Sequence, residues 1–334
     1  MYQITLIPGD GIGPEVTSSA KTLIEAVLEK HSAEKINWDV QNAGQTAETI
    51  LPDALLKSLE TNKIALKGPI TTPIGKGFKS INVQLRQKYG LFANVRPVKK
   101  IIEGRYDENI DFVIFRENTE GLYAGIERVE SPDRIIAEKV TTRAASERIG
   151  RAAFDYAKKL GLDKVTVVHK ANILKQCDGL FLESVTNVSK EYPEIKLEAV
   201  IVDNMAMQLV MTPSQYQVIV TTNLYGDILS DLSAGLVGGL GLVPGANLND
   251  EMAVFEPVHG SAPDIAGKDM ANPTACILSG VMLLEHIGEL EASKTLYQAV
   301  VNTLLDPSKR TKDLGGPLGT KAYTDEILLA IKAM

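Results

Sequence analysis

The segment QVIVTTNLYGDILSDLSAGLVGGLG (residues 217–241) decides the fold class of this chain. It begins with QVIVTTN, a short β-branched run that is typical of a buried strand. YGDILSDLSAGLVGGLG follows directly, with apolar residues spaced as in a helix. A buried strand that passes into a helix is the repeating unit of α/β proteins.

The same alternation of short β-rich runs and amphipathic runs continues along the chain. The predicted strands are YQITLIP, KIALKG, DFVIFR, KVTVVHK, KLEAVIVD and QVIVTTN, and the predicted helices are PEVTSSAKTLIEAVLEK, SERIGRAAFDYAKKLG, GLFLESVTNVSKEY and YGDILSDLSAGLVGGLG. This order predicts an α/β protein with a largely parallel core sheet. ERVESPDRIIAEKVTT (127–142) differs, because its polar spacing and β-branched residues predict a protruding strand or arm.

The composition excludes several classes of protein. The chain has 334 residues, is 44% hydrophobic and carries a net charge of −7, with a pI near 5.3. An acidic surface repels phosphate, so we expect no nucleic-acid partner. Two cysteines without a CxxC pair and four histidines without metal-ligand spacing support neither a disulfide framework nor a zinc site. MYQITLIPGDGIG resembles no signal peptide and no membrane span, which predicts a cytoplasmic protein without membrane attachment.

A glycine-rich loop, GDGIG (9–13), follows the first predicted strand. The Rossmann fingerprint G-x-G-x-x-G does not fit, because the third glycine comes one residue early and Pro14 occupies its place. Asp10 would also place a negative charge against a pyrophosphate. The loop is either a plain tight turn or a turn beside some ligand.

Three aspartates have spacing that suits a divalent cation. Asp227 and Asp231 lie four residues apart, which places both carboxylates on one face of a helix. Asp203 ends another predicted strand, where α/β proteins tend to place groups that face a ligand. Mg²⁺ and Mn²⁺ prefer such oxygen ligands. The alternative is two solvated helix acids and an unrelated strand-end residue.

The segment SINVQLRQKYGLFANVRP (80–97) brings Ser80, Asn82, Arg86 and Arg96 together in an acidic chain. It is either a solvated helix face or a pocket for a small polyanion. Arg116 ends a predicted strand and adds weight to the polyanion, since a buried arginine needs an anionic partner.

Lys170 and Tyr123 are two further polar candidates. Lys170 follows the apolar run VTVV, and it either reaches solvent or faces a site, where desolvation near other cations would let it act as a base. Tyr123 follows RENTEGL and is on its own as compatible with surface packing as with chemistry.

Eight motifs resemble the isocitrate/isopropylmalate dehydrogenase family in content and order. They are LIPGDGIGPEV, GPITTPIGKG, SINVQLR, LFANVRP, FRENTEGLYAG, VVHKANILK, NLYGDILSDLSAGLVGGLG and EPVHGSAPDIAGKDMANP. The resemblance spans essentially the whole chain. It implies a two-domain α/β fold that is not Rossmann. The implied large domain is 1–98 with 239–334 and carries the cofactor loop, and the implied small domain is 99–238. A homodimer that completes the active site is also implied, and pairing of dimers is left open because 124–142 is shorter than the arm of the larger family members.

The resemblance also implies the role of each candidate residue in oxidising a 2-hydroxy acid and releasing CO₂. Arg86, Arg96 and Arg116 match the arginines that hold substrate carboxylates. Asp203, Asp227 and Asp231 match the ligands of Mg²⁺ or Mn²⁺, with Asp203 supplied by the neighbouring subunit. Lys170, also from the neighbour, matches the residue that assists deprotonation of the hydroxyl, and Tyr123 matches the group that protonates the enolate carbon.

Ser80 and Asn82 indicate the substrate. An isopropyl tail would bury apolar surface against an unpaired hydroxyl and amide, whereas a third carboxylate would be hydrogen-bonded by them. By resemblance the pair implies isocitrate, with homoisocitrate, a tartrate- or malate-type acid and 3-isopropylmalate as alternatives. A non-catalytic regulatory subunit is a further alternative, although the full catalytic set is present.

The loop HGSAPDIAGKDMANP (259–273) resembles the adenosine-binding loop of the family and indicates the cofactor. Asp264 can accept hydrogen bonds from both ribose hydroxyls of NAD and would repel the 2′-phosphate of NADP. Relatives that use NADP tend to carry Lys and Tyr in place of Asp264 and Ile265. The resemblance places cofactor contacts at Thr72, His259, Gly260, Ser261, Ala262, Asp264, Ile265 and Asn272.

Overall fold

The computed structural model describes residues 1–44, 47, 51–71, 80–103 and 109–334. The strands are β1 (Tyr2–Ile7), β2 (Ile36–Val40), β3 (Ile64–Lys67), β4 (Ala93–Lys99), β5 (Asp111–Glu117), β6 (Gly121–Ser131), β7 (Arg134–Val140), β8 (Lys164–His169), β9 (Lys196–Ile201), β10 (Val218–Thr221), β11 (Pro244–Leu248) and β12 (Ala253–Pro257). The helices are α1 (Gly13–His31), α2 (Asp53–Asn62), α3 (Ile81–Tyr89), α4 (Arg143–Leu160), α5 (Cys177–Ser189), α6 (Val202–Met211), α7 (Asn223–Val237), α8 (Thr274–His286), α9 (Leu290–Leu305) and α10 (Thr320–Ala333). Every strand and helix predicted from the sequence is present.

One mixed sheet organises the molecule. Its ten strands run in the order β2-β1-β3-β12-β11-β4-β5-β10-β8-β9. Both ends are parallel, and the three ladders β12–β11, β11–β4 and β4–β5 in the middle are antiparallel. The α/β prediction is confirmed, and this strand order differs from the Rossmann order. The predicted parallel pairing of strands is present at the two ends of the sheet and absent from its centre.

Helices cover both faces of the sheet. Alternate residues of β5, β8 and β10 pack against α4 and α5 on one face, and the others pack against α6 and α7 on the opposite face. At the other end, α1 packs with α8, α9 and α10 in a single core. The helix boundaries follow local chemistry: α1 begins at Gly13 with Pro14 in its first turn, and the Thr142 hydroxyl caps α4.

The two implied domain boundaries differ in their local structure. Residue 98 lies within β4 and pairs with Phe112 of β5, whereas Gly238, with a positive φ of 115°, ends α7. The ten-stranded sheet runs continuously across both halves. The division into two domains therefore stays a prediction.

The segment predicted as an arm is a separate two-stranded ribbon. β6 pairs with β7 in antiparallel register, away from the main sheet, and most of its residues are exposed. Within the described part of the chain, none of the helices has both the length and the apolar character needed to cross a bilayer.

Candidate active site

A polar cleft lies where α3, β4, β5, β6, α7 and the loop after β12 meet. Its volume is about 240 Å³. Nine of the residues predicted from the sequence line it: Ser80, Asn82, Arg86, Arg96, Arg116, Tyr123, Asp227, His259 and Gly260. The structure therefore brings the predicted substrate residues to one place, together with a predicted acid and one end of the predicted cofactor loop.

Three buried guanidinium groups form one wall of the cleft. Arg86 comes from α3, Arg96 from β4 and Arg116 from β5, and their exposed fractions are 8%, 6% and 1%. Burial, followed by the charge of Arg86, lowers the pKa of Arg96, and burial with the charge of Arg96 lowers the pKa of Arg116. Arginine nevertheless stays charged at neutral pH. Such a cluster is stable only with anionic partners.

Several buried polar atoms around the cleft have no hydrogen-bond partner among the described residues. They are Nε of Arg86, Nε of Arg96, Oδ1 of Asn82 and Nε2 of His259. A buried polar group without a partner costs about 1–3 kcal/mol. The ion pairs within the chain therefore do not use the full hydrogen-bonding capacity of Arg86 and Arg96.

Tyr123 and Asp227 meet at the floor of the cleft. The Tyr123 hydroxyl donates to Oδ2 of Asp227 at 2.6 Å. Arg116 pairs with the other carboxylate oxygen and lies 5.0 Å from the Tyr123 ring centroid. Burial by itself raises the pKa of Asp227, but the charge of Arg116 and the Tyr123 hydrogen bond outweigh it, and the pKa is lowered. Burial and the bond to Asp227 raise the pKa of Tyr123, which keeps the phenol protonated.

Asp231 lies one helical turn beyond Asp227, as the spacing predicted. Nη1 of Arg96 is 3.5 Å from Oδ1 of Asp227 and 3.8 Å from Oδ1 of Asp231. The two carboxylates therefore share a face of α7, and both lie near the guanidinium group of Arg96. Burial raises the pKa of Asp231. The charge of Arg96 opposes this increase, and the charge of Asp227 adds to it.

Lys170 and Asp203 form a second pair outside the lining of the cleft. Lys170 follows β8, and its Nζ lies 2.6 Å from Oδ1 of Asp203. The prediction that Asp203 ends a strand is wrong, because β9 stops at Ile201 and Asp203 lies in the first turn of α6. The hydrogen bond from Lys170 lowers the pKa of Asp203. Among the described residues, no three His, Cys, Asp or Glu side chains are grouped to hold a metal ion. A single chain therefore does not join Asp203 to Asp227 and Asp231.

The predicted cofactor loop packs on the first glycine-rich loop. The amide of Ile12 donates to the Ser261 carbonyl at 2.8 Å, and a Cβ on Gly11 would lie 2.0 Å from that oxygen. The hydroxyls of Ser261 and Thr71 lie 2.7 Å apart. GDGIG is therefore a tight turn that packs against the second loop, and its place beside a ligand stays a prediction.

The remaining predicted cofactor residues lie further along that loop. Asp264 is exposed, and Ala262 and Ile265 are half-buried. Asn272 donates to Asp313 at 2.9 Å and accepts from the amide of Thr274 at 3.0 Å, so its side chain already has internal partners. Thr72 lies outside the described residues.

Sequence reasoning missed a buried ion pair behind the arginines. Nζ of Lys67 lies 2.5 Å from Oε2 of Glu256, and Arg86 reaches Oε1 at 3.1 Å. Asn247 donates to the same Oε1 at 2.6 Å. Burial raises the pKa of Glu256, but the charges of Lys67 and Arg86 outweigh it and hold the pKa well below its usual range. The sequence feature that could have indicated this pair is a charged residue in each of the apolar runs IALK and AVFEP.

The chain is similar to known proteins over nearly its whole length. Residues 3–329 match the family model "Isocitrate/isopropylmalate dehydrogenase". The chain is 47% identical to isocitrate dehydrogenase [NAD] subunit 2, mitochondrial, of Schizosaccharomyces pombe over 99% of this chain and 88% of the relative. It is 49% identical to a mitochondrial regulatory subunit of NAD isocitrate dehydrogenase from Dictyostelium discoideum, over 99% and 92%. The solved structure of isocitrate dehydrogenase from Methylococcus capsulatus matches with a TM-score of 0.94 and 49% identity, over 99% of this chain and all of that one.

The predicted cytoplasmic localisation is wrong by this comparison. Both relatives from Schizosaccharomyces pombe and Dictyostelium discoideum are mitochondrial by name. The prediction was based on the absence of a leader pattern at the start of the sequence, and such an absence does not identify a compartment.

The match over nearly the full length, together with the shared fold, shows that the chain belongs to the isocitrate/isopropylmalate dehydrogenase family.

Proposed function

We propose that this chain is a catalytic NAD-dependent isocitrate dehydrogenase, which oxidises isocitrate and releases CO₂ to give 2-oxoglutarate in the presence of a divalent cation. The observation that carries the proposal is the convergence of Arg86, Arg96 and Arg116 on one cleft with Asn82 and Tyr123. Three buried cations suit a ligand with three carboxylates. The names of the relatives support NAD and isocitrate.

The arginines bind and orient the substrate in this proposal. Each charge-assisted hydrogen bond to a carboxylate is worth about 1.5–3 kcal/mol. Arg86 already pairs with Glu256, and Arg96 lies near Asp227 and Asp231, so the substrate carboxylates would share or take over these ion pairs. Ser80 and Asn82 line the cleft at the start of α3, and in this proposal they bind the carboxylate that distinguishes isocitrate from an isopropyl-bearing acid.

The donor atoms of Asp227 and Asp231 suit a divalent cation. Both present carboxylate oxygens on one face of α7, and Mg²⁺ and Mn²⁺ prefer oxygen ligands. A bound cation would stabilise negative charge that develops on the substrate oxygen. Asp203 completes the proposed ligand set from a second copy of the chain. The family resemblance leaves the choice between Mg²⁺ and Mn²⁺ open.

Tyr123 and Lys170 handle protons in the proposed reaction. Lys170 of a second copy assists removal of the hydroxyl proton. The Tyr123 phenol, kept protonated by its raised pKa, donates the proton that carbon receives after CO₂ has left. Its hydrogen bond to Asp227 holds the hydroxyl at the floor of the cleft.

NAD would accept the hydride from the carbinol carbon of the substrate. The loop after β12 is the proposed nucleotide site, because His259 and Gly260 already line the cleft. The carboxylate of Asp264 is exposed and can accept hydrogen bonds from ribose hydroxyls.

A homodimer with a shared active site is the assembly that this proposal needs. Large apolar side chains are exposed on the helices α6 and α7 and on the ribbon, including Met211 of α6 (63%), Ile228 of α7 (56%) and Val129 of β6 (74%). In this proposal these side chains form part of the subunit interface, where a second copy would cover them. The names of the relatives describe them as subunits, which leaves a heteromeric assembly as the alternative outcome.

Activity of the purified chain tests the proposal. The chain is assayed alone against isocitrate, homoisocitrate, tartrate, malate and 3-isopropylmalate, each with NAD or NADP, in Mg²⁺, Mn²⁺ or EDTA. We expect isocitrate with NAD to give the highest kcat/KM and EDTA to abolish it. Preference for another acid would overturn the substrate assignment. No turnover by the chain alone, with activity restored by a second type of subunit, would support the regulatory alternative.

A further inference from the structure

Asp178 is a buried carboxylate that the proposed reaction does not use. It stands in the first turn of α5 and has no exposed side-chain surface. An acid at this position would ordinarily accept hydrogen bonds from the amides of its own helix. Its Oδ2 instead accepts a hydrogen bond of 2.7 Å from the amide of Lys170, eight residues earlier.

The backbone at Lys170 is held on both sides. Its amide binds Asp178, and its carbonyl accepts from the amides of Ile173 and Leu174 at 3.0 and 2.9 Å. The carbonyl of Leu174 accepts in turn from the amide of Asp178 at 2.9 Å. The turn from β8 to α5 is thus a closed set of hydrogen bonds that includes the side chain of Asp178, and beside it Nδ1 of His169 accepts from the amide of Ala171 at 3.0 Å.

Two other elements reach the same carboxylate. Lys139 of β7 pairs with Oδ1 of Asp178, and the exposed fraction of the Lys139 side chain is 13%. Nζ of Lys139 lies 4.6 Å from the ring centroid of Tyr225, in the first turn of α7. Burial, the charge of Asp178 and a hydrogen bond to it raise the pKa of the Tyr225 hydroxyl. Asp178 therefore connects the Lys170 turn to the ribbon and to the helix of Asp227.

We propose that Asp178 is a positioning residue: it fixes the backbone of Lys170 so that the Lys170 ammonium is presented to the active site. This inference rests on the role proposed above for Lys170. A carboxylate that ties down the main chain next to a long flexible side chain removes conformations in which the ammonium points elsewhere. Misplacement of a reacting group by about 1 Å can cost about 100-fold in rate.

A double-mutant cycle with Lys170→Met tests this role. We expect Asp178→Asn to lower kcat by about 10- to 100-fold, with KM for isocitrate changed by less than about threefold, because the substrate arginines are untouched. In a Lys170→Met background, Asp178→Asn should lower kcat by less than about twofold further. If the two substitutions lower kcat in the double variant by the product of their separate effects, the proposal is overturned, since Asp178 would then act independently of Lys170. Glu183→Gln, an exposed acid on the same helix paired with Arg143, is the matched control.

Hydrogen exchange at the Lys170 amide gives a readout that does not need activity. Asp178→Asn should speed exchange at this amide by at least about tenfold, while Glu183→Gln leaves it unchanged. Unchanged exchange in Asp178→Asn would contradict the positioning role. If the wild type fails to oxidise isocitrate, the proposed function fails, and this exchange measurement still decides whether Asp178 fixes Lys170.

A second variant keeps the test valid if Asp178→Asn alone fails to fold. Asp178→Asn combined with Lys139→Met removes both buried charges, which is tolerated better than leaving one unpaired. In the single variant, Lys139 competes for the one amide oxygen of the asparagine and turns its NH₂ group toward the Lys170 amide. Without Lys139, the amide oxygen can accept from Lys170, so we expect kcat within about fivefold of wild type and a protected Lys170 amide. A kcat more than about fivefold below wild type in this double variant would overturn the proposal.

Discussion

The hydroxyl of Tyr123 lies 2.6 Å from Oδ2 of Asp227, and Arg116 holds the other oxygen of the same carboxylate. The proposed proton donor and a proposed metal ligand are therefore hydrogen-bonded to each other within one chain. The arrangement keeps the phenol protonated and the carboxylate charged, since the pKa of Tyr123 is raised and that of Asp227 is lowered.

Removal of the Tyr123 hydroxyl should affect the proton transfer more than binding. We expect Tyr123→Phe to lower kcat by about 100- to 1,000-fold, with little change in KM for isocitrate, because general acid–base groups contribute on this scale. Exchange of the carbon-bound protons of 2-oxoglutarate in D₂O should slow in parallel. Tyr192→Phe, which removes a hydroxyl bonded to Asp155 outside the cleft, is the control. A normal exchange rate in Tyr123→Phe would argue against this tyrosine as the donor.

Asn82 should select the substrate. Asn82→Leu removes a polar group from the cleft and replaces it with an apolar one, so kcat/KM for isocitrate should fall by about 10- to 100-fold, the equivalent of one charge-assisted hydrogen bond. The ratio of activity on 3-isopropylmalate to activity on isocitrate should rise. Lys88→Gln on the exposed part of the same helix should change neither value. Unaltered selectivity in Asn82→Leu would place the variable arm of the substrate elsewhere.

Asp264 should determine the preference for NAD. The double change Asp264→Lys with Ile265→Tyr should shift the kcat/KM ratio of NADP to NAD upward by about 100-fold or more, through loss of repulsion and gain of a cation. Asp264→Asn separates charge from hydrogen bonding, and it should relax the rejection of NADP while weakening NAD only modestly. A wild-type preference for NADP would refute the assignment at the outset.

Glu256 should contribute stability that depends on pH. Its folded-state pKa is lowered, so this contribution is present above the ordinary glutamate pKa of about 4.3 and is lost as pH falls below it. At pH 7, Glu256→Gln should reduce the free energy of unfolding by about 3–5 kcal/mol, because it leaves Lys67 and Arg86 without their carboxylate. Urea unfolding at pH 7 and at a series of lower pH values measures the free energy of unfolding of wild type and variant. The difference between the two should shrink as the pH falls. Glu127→Gln, at an exposed position on β6, should show no such trend.

The sequence predicted part of the cleft. Arg86, Arg96, Arg116 and Tyr123 stand in long motifs that predicted a shared site, and the structure brings all four to one cleft, but Lys67 and Glu256 of the same lining were missed. The strands were predictable for a similar reason, because buried β-branched runs such as KVTVVHK have few other stable states.

Long-range pairing could not be predicted from these patterns. An apolar run identifies a strand but not its neighbours, so the antiparallel centre of the sheet was missed. Lys67 and Glu256 are far apart in the chain, and each looks like an isolated charge in an apolar run. The Asp178–Lys139 pair is similar, since only the path of the ribbon brings Lys139 to α5.

Subunit complementation tests the central claim most directly, namely that one active site takes Tyr123 from one copy and Lys170 from another. Lys170→Met and Tyr123→Phe chains, each nearly inactive alone, are unfolded, mixed in equal amounts and refolded, and isocitrate oxidation is measured with NAD and Mg²⁺. The account predicts recovery to about one quarter of wild-type activity, because half of the dimers are hybrids and each hybrid has one intact site of two. Activity that stays at the level of the parent variants, with hybrid dimers demonstrably formed, would contradict it.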